Sequence, residues 1–120
     1  MVYRPVKLEE AFLKFEDVWA PKTAAKINDY AIKLVKVEGE FVWHHHEETD
    51  ELFLVWRGRL RIDLPNASVD LGEGDLFVVP RGIEHRPIAE PAAEIVLLEP
   101  AATVNTGQLR SDRTALDEGV

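Results

Sequence analysis

The sequence has no cysteine, which excludes disulfides and thiolate metal sites and leaves redox compartment unreadable from thiols. It is also short of positive charge: 14 Lys and Arg stand against 22 Asp and Glu, a formal net charge of −8. A chain this acidic repels phosphate backbones and anionic bilayers, so neither nucleic acid nor a membrane is an expected partner. No apolar run approaches the length of a membrane span, and Met1 to Glu10 lacks the apolar stretch of a secretory signal. A cytoplasmic location is the default expectation. Histidine is scarce as well, with four residues, yet three of them are adjacent.

What is present fits a soluble globular protein. The chain has 120 residues, 46% hydrophobic and 30% charged, enough for one domain with a sizeable core. Leu8, Ala11, Phe12 and Phe15 recur at helical spacing, with Glu9 and Glu10 where the helix dipole favours them, so a short helix is expected over about residues 7–16. Asn28-Asp29 reads as a turn, and Tyr30 to Val37 as a strand. From Glu40 onward the pattern is all strand: Phe41 to His44, Leu52 to Trp56, Arg59 to Leu64, Val69 to Leu71, Leu76 to Val79, His85 to Ala89 and Glu94 to Leu98. Arg57-Gly58 reads as a tight turn, and Leu76 to Val79 as a strand buried on both faces. Short strands at regular spacing predict an all-β sandwich or barrel, spanning about residues 24–100, with a polar tail over 103–120.

The histidines lie in Gly39-Glu-Phe-Val-Trp-His-His-His-Glu-Glu-Thr-Asp-Glu51, and the fourth in Pro80-Arg-Gly-Ile-Glu-His85. A strand sends alternate side chains to opposite faces, so His44 and His46 share one face and His45 points away. Glu51 opens the next strand and can bring a carboxylate to the same place, while His85 can add a third imidazole. Three nitrogens and one oxygen suit a divalent transition metal, with manganese, iron, nickel, copper and zinc all open. Glu47, Glu48 and Asp50 read as a solvated acidic turn, and one of them replaces Glu51 if the register differs by a residue. Tyr30, Lys33 and Phe53 are weaker candidates for lining a pocket; Arg86 is expected to point away from the metal. No catalytic residue can be named.

Two motifs carry a resemblance. Gly39-x4-His44-x-His46-x4-Glu51-x6-Gly58 resembles the first signature of the cupins, and Gly74-x5-Pro80-x-Gly82-x2-His85 the second. Ala89 stands where the second motif often has asparagine, and the Gly39–His44 spacing is one residue short of the commonest form. A late Glu99-Pro-x4-Asn-Thr-Gly107 is similar to that of small single-domain cupins, which are loosely grouped with mannose-6-phosphate isomerase. The resemblance implies a double-stranded β-helix, or jelly-roll barrel, with the metal and a small-molecule ligand in its interior. It also implies a homodimer made by packing sheets together, for which outward-facing Leu52, Leu54 and Trp56 supply apolar surface.

Four protein ligands leave two positions open on an octahedral ion. That geometry suits a metal-dependent oxidoreductase of dioxygenase type, or an isomerase, acting on a small oxygen-rich molecule. A metal-binding or small-ligand-binding protein without turnover, and a barrel with an empty site, are the alternatives. A phosphosugar is disfavoured, because no inward cluster of Lys or Arg is visible. Metal is expected to leave as pH falls through about 6.5, where free histidine takes up its proton.

Overall fold

The computed structural model describes residues 2–107 and 118–119. A five-residue helix, α1 (Leu8–Phe12), precedes the strands β1 (Lys22–Ile27), β2 (Tyr30–Glu40), β3 (Glu51–Leu64), β4 (Ala67–Leu71), β5 (Leu76–Val79), β6 (Arg86–Pro100) and β7 (Glu118–Gly119). The helix is shorter than the spacing of its apolar residues predicts. Its N-cap, Lys7, makes no side-chain capping bond and its last turn has no basic residue, so little holds it beyond packing. Phe12 and Ala11 bury against Leu34, and Phe15 joins them from beyond the helix end. The polar tail expected from residue 103 lies mostly outside the described residues.

All the strands join one sheet in the order β4-β3-β6-β2-β1-β7, with β5 beside β4 on the same edge of β3. The sheet curls into a jelly-roll barrel, and its centre is β6, which pairs antiparallel with both β2 and β3. The inner face carries the main core: Val35 and Val37 from β2, Phe53, Val55, Leu60 and Ile62 from β3, and Ala89, Ala93, Ile95 and Leu97 from β6. Strand β1 was not legible in the sequence; Asn28, at φ 56°, turns it into β2.

Two pairs of expected strands prove continuous. Leu52 to Trp56 and Arg59 to Leu64 belong to the single strand β3, and Arg57-Gly58 is a bulge within it rather than a turn. Register shifts at Val55/Arg57 and Gly58/Leu60 switch the inward set from Phe53 and Val55 to Leu60 and Ile62, which flips its parity. Gly58 has φ 88°, and a Cβ there would meet the carbonyl oxygen of Ala92 at 2.5 Å. Likewise the strands expected over His85 to Ala89 and Glu94 to Leu98 merge into β6, which begins one residue late, at Arg86. The reading of Leu76 to Val79 as doubly buried is also corrected. Strand β5 lies at an edge, paired with β3, with Val79 buried and Leu76 and Val78 exposed.

Candidate metal centre

The segment 41–46 is not a regular strand, but it runs antiparallel to 82–87. Phe41 N–H donates to Pro87 O, His44 and His85 exchange both backbone hydrogen bonds, and Gly82 N–H donates to His46 O. Between the Phe41 and His44 pairings, Val42 and Trp43 oppose Arg86 alone, so the backbone bulges there. Past the bulge, alternation resumes. His44 and His46 are buried while His45 turns outward, its two ring nitrogens 3.0 Å from Glu84 and 2.7 Å from Glu47. Glu51 begins β3 with its side chain inward, and His85 immediately precedes β6.

His44, His46, Glu51 and His85 thus converge. All four are buried, and one potential ligand atom from each lies within 4.8 Å of the others. Glu51 Oε1 is 3.4 Å from both His46 Nε2 and His85 Nε2. Atoms bound about 2.1 Å from one ion are separated by roughly 3 to 4 Å, so the group needs little contraction to hold one. These three atoms are buried and without a hydrogen-bond partner. Orphaned polar atoms in the interior are costly unless something else satisfies them, and a cation does. His44 Nδ1 bonds the carbonyl of Val42, and His85 Nδ1 that of Ile83, each at 2.9 Å. A carbonyl can only accept, so each Nδ1 carries the proton and each Nε2 presents a lone pair, as a metal-ligating imidazole requires. The residues present therefore fit a divalent ion.

The electrostatics agree. Burial, reinforced by His85, lowers the pKa of His44 to about 4, so it stays neutral far below the range of free histidine. Proton uptake at His44 therefore falls well below pH 6.5. Burial acts to raise the pKa of Glu51, but the neighbouring Glu99, His46 and His85 outweigh it and hold Glu51 well below the usual carboxylate range. Burial, then the charge of Glu51, push Glu99 well above that range.

The other candidates separate cleanly. Glu47, Glu48 and Asp50 are exposed; Asp50 accepts the backbone N–H of Arg81, and none joins the cluster. Arg86 turns away to Asp63 at 3.0 Å and lies over the Trp43 ring. Phe53 sits edge-on to His85 at 6.0 Å, whereas Tyr30 is half-exposed at the far end of β2 and lines neither space beside the cluster. Lys33 is fully buried and pairs with Glu99. Glu99 had no assigned role in the sequence; the available signal was its place at the head of Glu-Pro-x4-Asn-Thr-Gly. That loop closes over the cluster. Gly107, at φ 61°, packs so tightly that a Cβ would overlap the carbonyl of His45 and lie 3.3 Å from His46 Nδ1.

Two spaces adjoin the site. An inner cavity of about 30 Å³ touches His44, Glu51, Phe41, Phe53 and Asn105. It has room for a water or two. An outer cleft of about 440 Å³ is bounded by His46, Glu47, Thr49, Thr103 and Gly107. Among the described residues, no helix is long and apolar enough to cross a membrane.

A curled antiparallel sheet enclosing a carboxylate and three imidazoles defines a jelly-roll protein with a buried group able to hold a metal. Residues 32–99 match the family described as Cupin domain, and the chain belongs to that family. A crystal structure of a cupin-2 domain protein from Shewanella frigidimarina is 43% identical and superposes with a TM-score of 0.78, covering 79% of this chain and 93% of that one. The uncharacterized protein YdbB of Bacillus subtilis is 38% identical over 63 residues, 52% of this chain and 56% of the relative, so the match spans little more than half its length. A crystal structure of hydroquinone 1,2-dioxygenase from Sphingomonas sp. TTNP3, with 4-nitrophenol, shares the fold at 19% identity and a TM-score of 0.73, over 80% of this chain and 32% of that one.

Proposed function

We propose that the protein binds one divalent transition-metal ion through His44, His46, Glu51 and His85 and acts as an oxidoreductase of dioxygenase type on a small oxygen-rich molecule. The observation that carries this is the set of orphaned buried atoms, His46 Nε2, His85 Nε2 and Glu51 Oε1, converging on one point. A bound ion would supply Lewis acidity and two open positions for oxygen ligands. The chain's own residues do the rest. His44 and His85 are held in the ligating tautomer by Val42 and Ile83. Phe41 and Phe53 line the inner cavity, and Glu51 stays ionised. A cavity of about 30 Å³ beside His44 and Glu51 admits a diatomic molecule. A larger substrate would approach by the cleft beside His46.

A second reading, metal or small-ligand binding without turnover, draws support from the apolar lining of that cavity. Apart from Glu51, His44 and Asn105, its walls are Trp19, Pro21, Val35 and similar residues, with no further acid or base among the described residues. The two readings part on oxygen consumption. The iron-loaded protein, screened against dihydroxybenzenes and other small phenols, is expected to consume oxygen with at least one. A metal-loaded protein that consumes none with any of them would leave the binding reading.

We also propose a homodimer. Leu52 and Leu54 face outward next to Val78 and Leu76 of the edge strand β5, and both of those are exposed. Contiguous apolar surface of this kind marks an interaction site. Light scattering at micromolar concentration is expected to give twice the chain mass of 13.6 kDa. A single-chain mass would reject the dimer.

A further inference from the structure

The space outside the four converging side chains has a charge of its own. The outer cleft, about 440 Å³, is large enough for a small molecule. It borders His46, which is 6% exposed and whose Nε2 has no hydrogen-bond partner. It is bounded by Glu47 and Glu48, exposed residues of the segment between His46 and β3, and by the apolar residues Pro100, Ala102 and Val104. Among the described residues, no Lys or Arg borders it.

Neighbouring charges do not cancel those two carboxylates. Arg81 is matched by Asp50, 3.5 Å away. Lys33 donates to the carbonyl of Thr103 at 3.2 Å, but it is buried and paired with Glu99 at 3.1 Å. The His45 ring meets Glu47 on one nitrogen and Glu84 on the other, so a proton on that ring offsets only one of its two carboxylates. The balance beside His46 is therefore negative.

A divalent ion held by three imidazoles and one carboxylate keeps excess positive charge, and by itself it would draw anions. Carboxylates along the approach act against that, because charges of one sign lining a cleft repel ligands of the same sign. We propose that Glu47 and Glu48 make the cleft selective for charge, so that the molecule reaching the metal is uncharged or an amine-bearing cation, and not a carboxylate or a phosphate. The inference rests on the metal-binding reading above and adds to it the class of molecule admitted.

The test uses the Co²⁺-loaded full chain, with its visible spectrum reporting ligands that reach the ion. The probes are azide, a small anion, and imidazole, neutral at about pH 8. The variant Glu47→Gln/Glu48→Gln removes both charges and keeps the size of each side chain. It is expected to bind azide roughly 3- to 10-fold more tightly than the parent, the scale of unit charges acting across solvent. Imidazole affinity should stay within about twofold, since a neutral ligand feels little of that field. The azide gain should shrink as ionic strength rises from about 0.01 M to about 0.1 M, where the screening length falls from about 30 Å to about 10 Å. Glu16→Gln/Glu90→Gln, which removes two exposed carboxylates that do not border the cleft, is the control and should leave azide binding as in the parent. Glu48→Gln alone should show part of the gain, and serves if the double variant is unstable.

Unchanged azide affinity in the cleft variants would overturn the proposal. So would an equal gain for imidazole, which would mean a wider opening, or an equal gain in the control, which would mean net charge. A parent that takes up Co²⁺ but lets neither probe reach it would also remove the cleft as the approach, while the metal site stood. A parent that takes up no Co²⁺ would remove the metal reading as well.

Discussion

Purified without chelators, the parent is expected to carry about one divalent ion per chain and His46→Ala essentially none. His46 enters the cluster from the bulged segment and places Nε2 3.4 Å from Glu51 Oε1. That nitrogen is buried and has no hydrogen-bond partner, so its coordination would be an uncompensated gain when an ion binds. Deleting it leaves three donors and a cavity that water must fill. Outer groups that only orient a ligand are worth ~10- to 100-fold in affinity, so loss of a direct ligand should exceed that. His45→Ala is the control. Its ring contacts Glu47 and Glu84 on the outside, and the variant should keep its metal. Elemental analysis of the three proteins side by side decides the matter; equal metal in His46→Ala and the parent would remove this residue from the ligand set.

The second large effect concerns acid. Burial, then the neighbouring His85, lower the folded pKa of His44 to about 4, against 6.5 for a free imidazole. An unfolded chain protonates this imidazole as pH drops below 6.5, while the folded chain resists until about 4. The unfolded state then binds more protons, so folding loses free energy as pH falls across that window and not outside it. At about 1.4 kcal/mol per pKa unit, His44 alone should cost the metal-free fold roughly 3 kcal/mol. Glu51 and Glu99 titrate too, with opposite signs. The depressed pKa of Glu51 lends stability that disappears as pH falls through its folded value, and the raised pKa of Glu99 lends stability that disappears as pH rises. Comparison with His44→Gln isolates the histidine, because both carboxyls are common to the two proteins. Urea unfolding of the chelator-treated pair is expected to show their stability difference shifting by about 3 kcal/mol between pH 6.5 and pH 4. A difference that stays constant with pH would contradict the burial argument.

The four clustered residues were legible because alternation is a strong constraint: it placed His44 and His46 together and sent His45 out, and the structure keeps that parity. It does so despite the bulge at Val42 and Trp43, which leaves no trace in composition. The Arg57-Gly58 pair misled for a related reason. A glycine with positive φ serves a bulge as well as a turn, and the switch of inward residues from Val55 to Leu60 mimics the start of a new strand. Leu76 to Val79 looked doubly buried because its residues are all apolar, but edge position depends on which strands pair, and that is not local information. The same limit hid Glu99. Its partner, Lys33, is 66 residues away along the chain, and a lone glutamate before a proline has no periodicity to betray it. Lys33 was singled out without a role for the same reason.

The paired backbones of His44 and His85 have one more consequence. Each donates its amide to the other's carbonyl, at 3.0 and 2.9 Å, so two of the four clustered residues are woven into the barrel's own fabric. A zinc finger gains its shape from its ion, and metallation there is part of folding. Here the distance between two imidazoles is set by main-chain pairing. An ion bound there would arrive at a fold that main-chain pairing has already closed, and it would be chosen at a completed cage by what the surroundings supply.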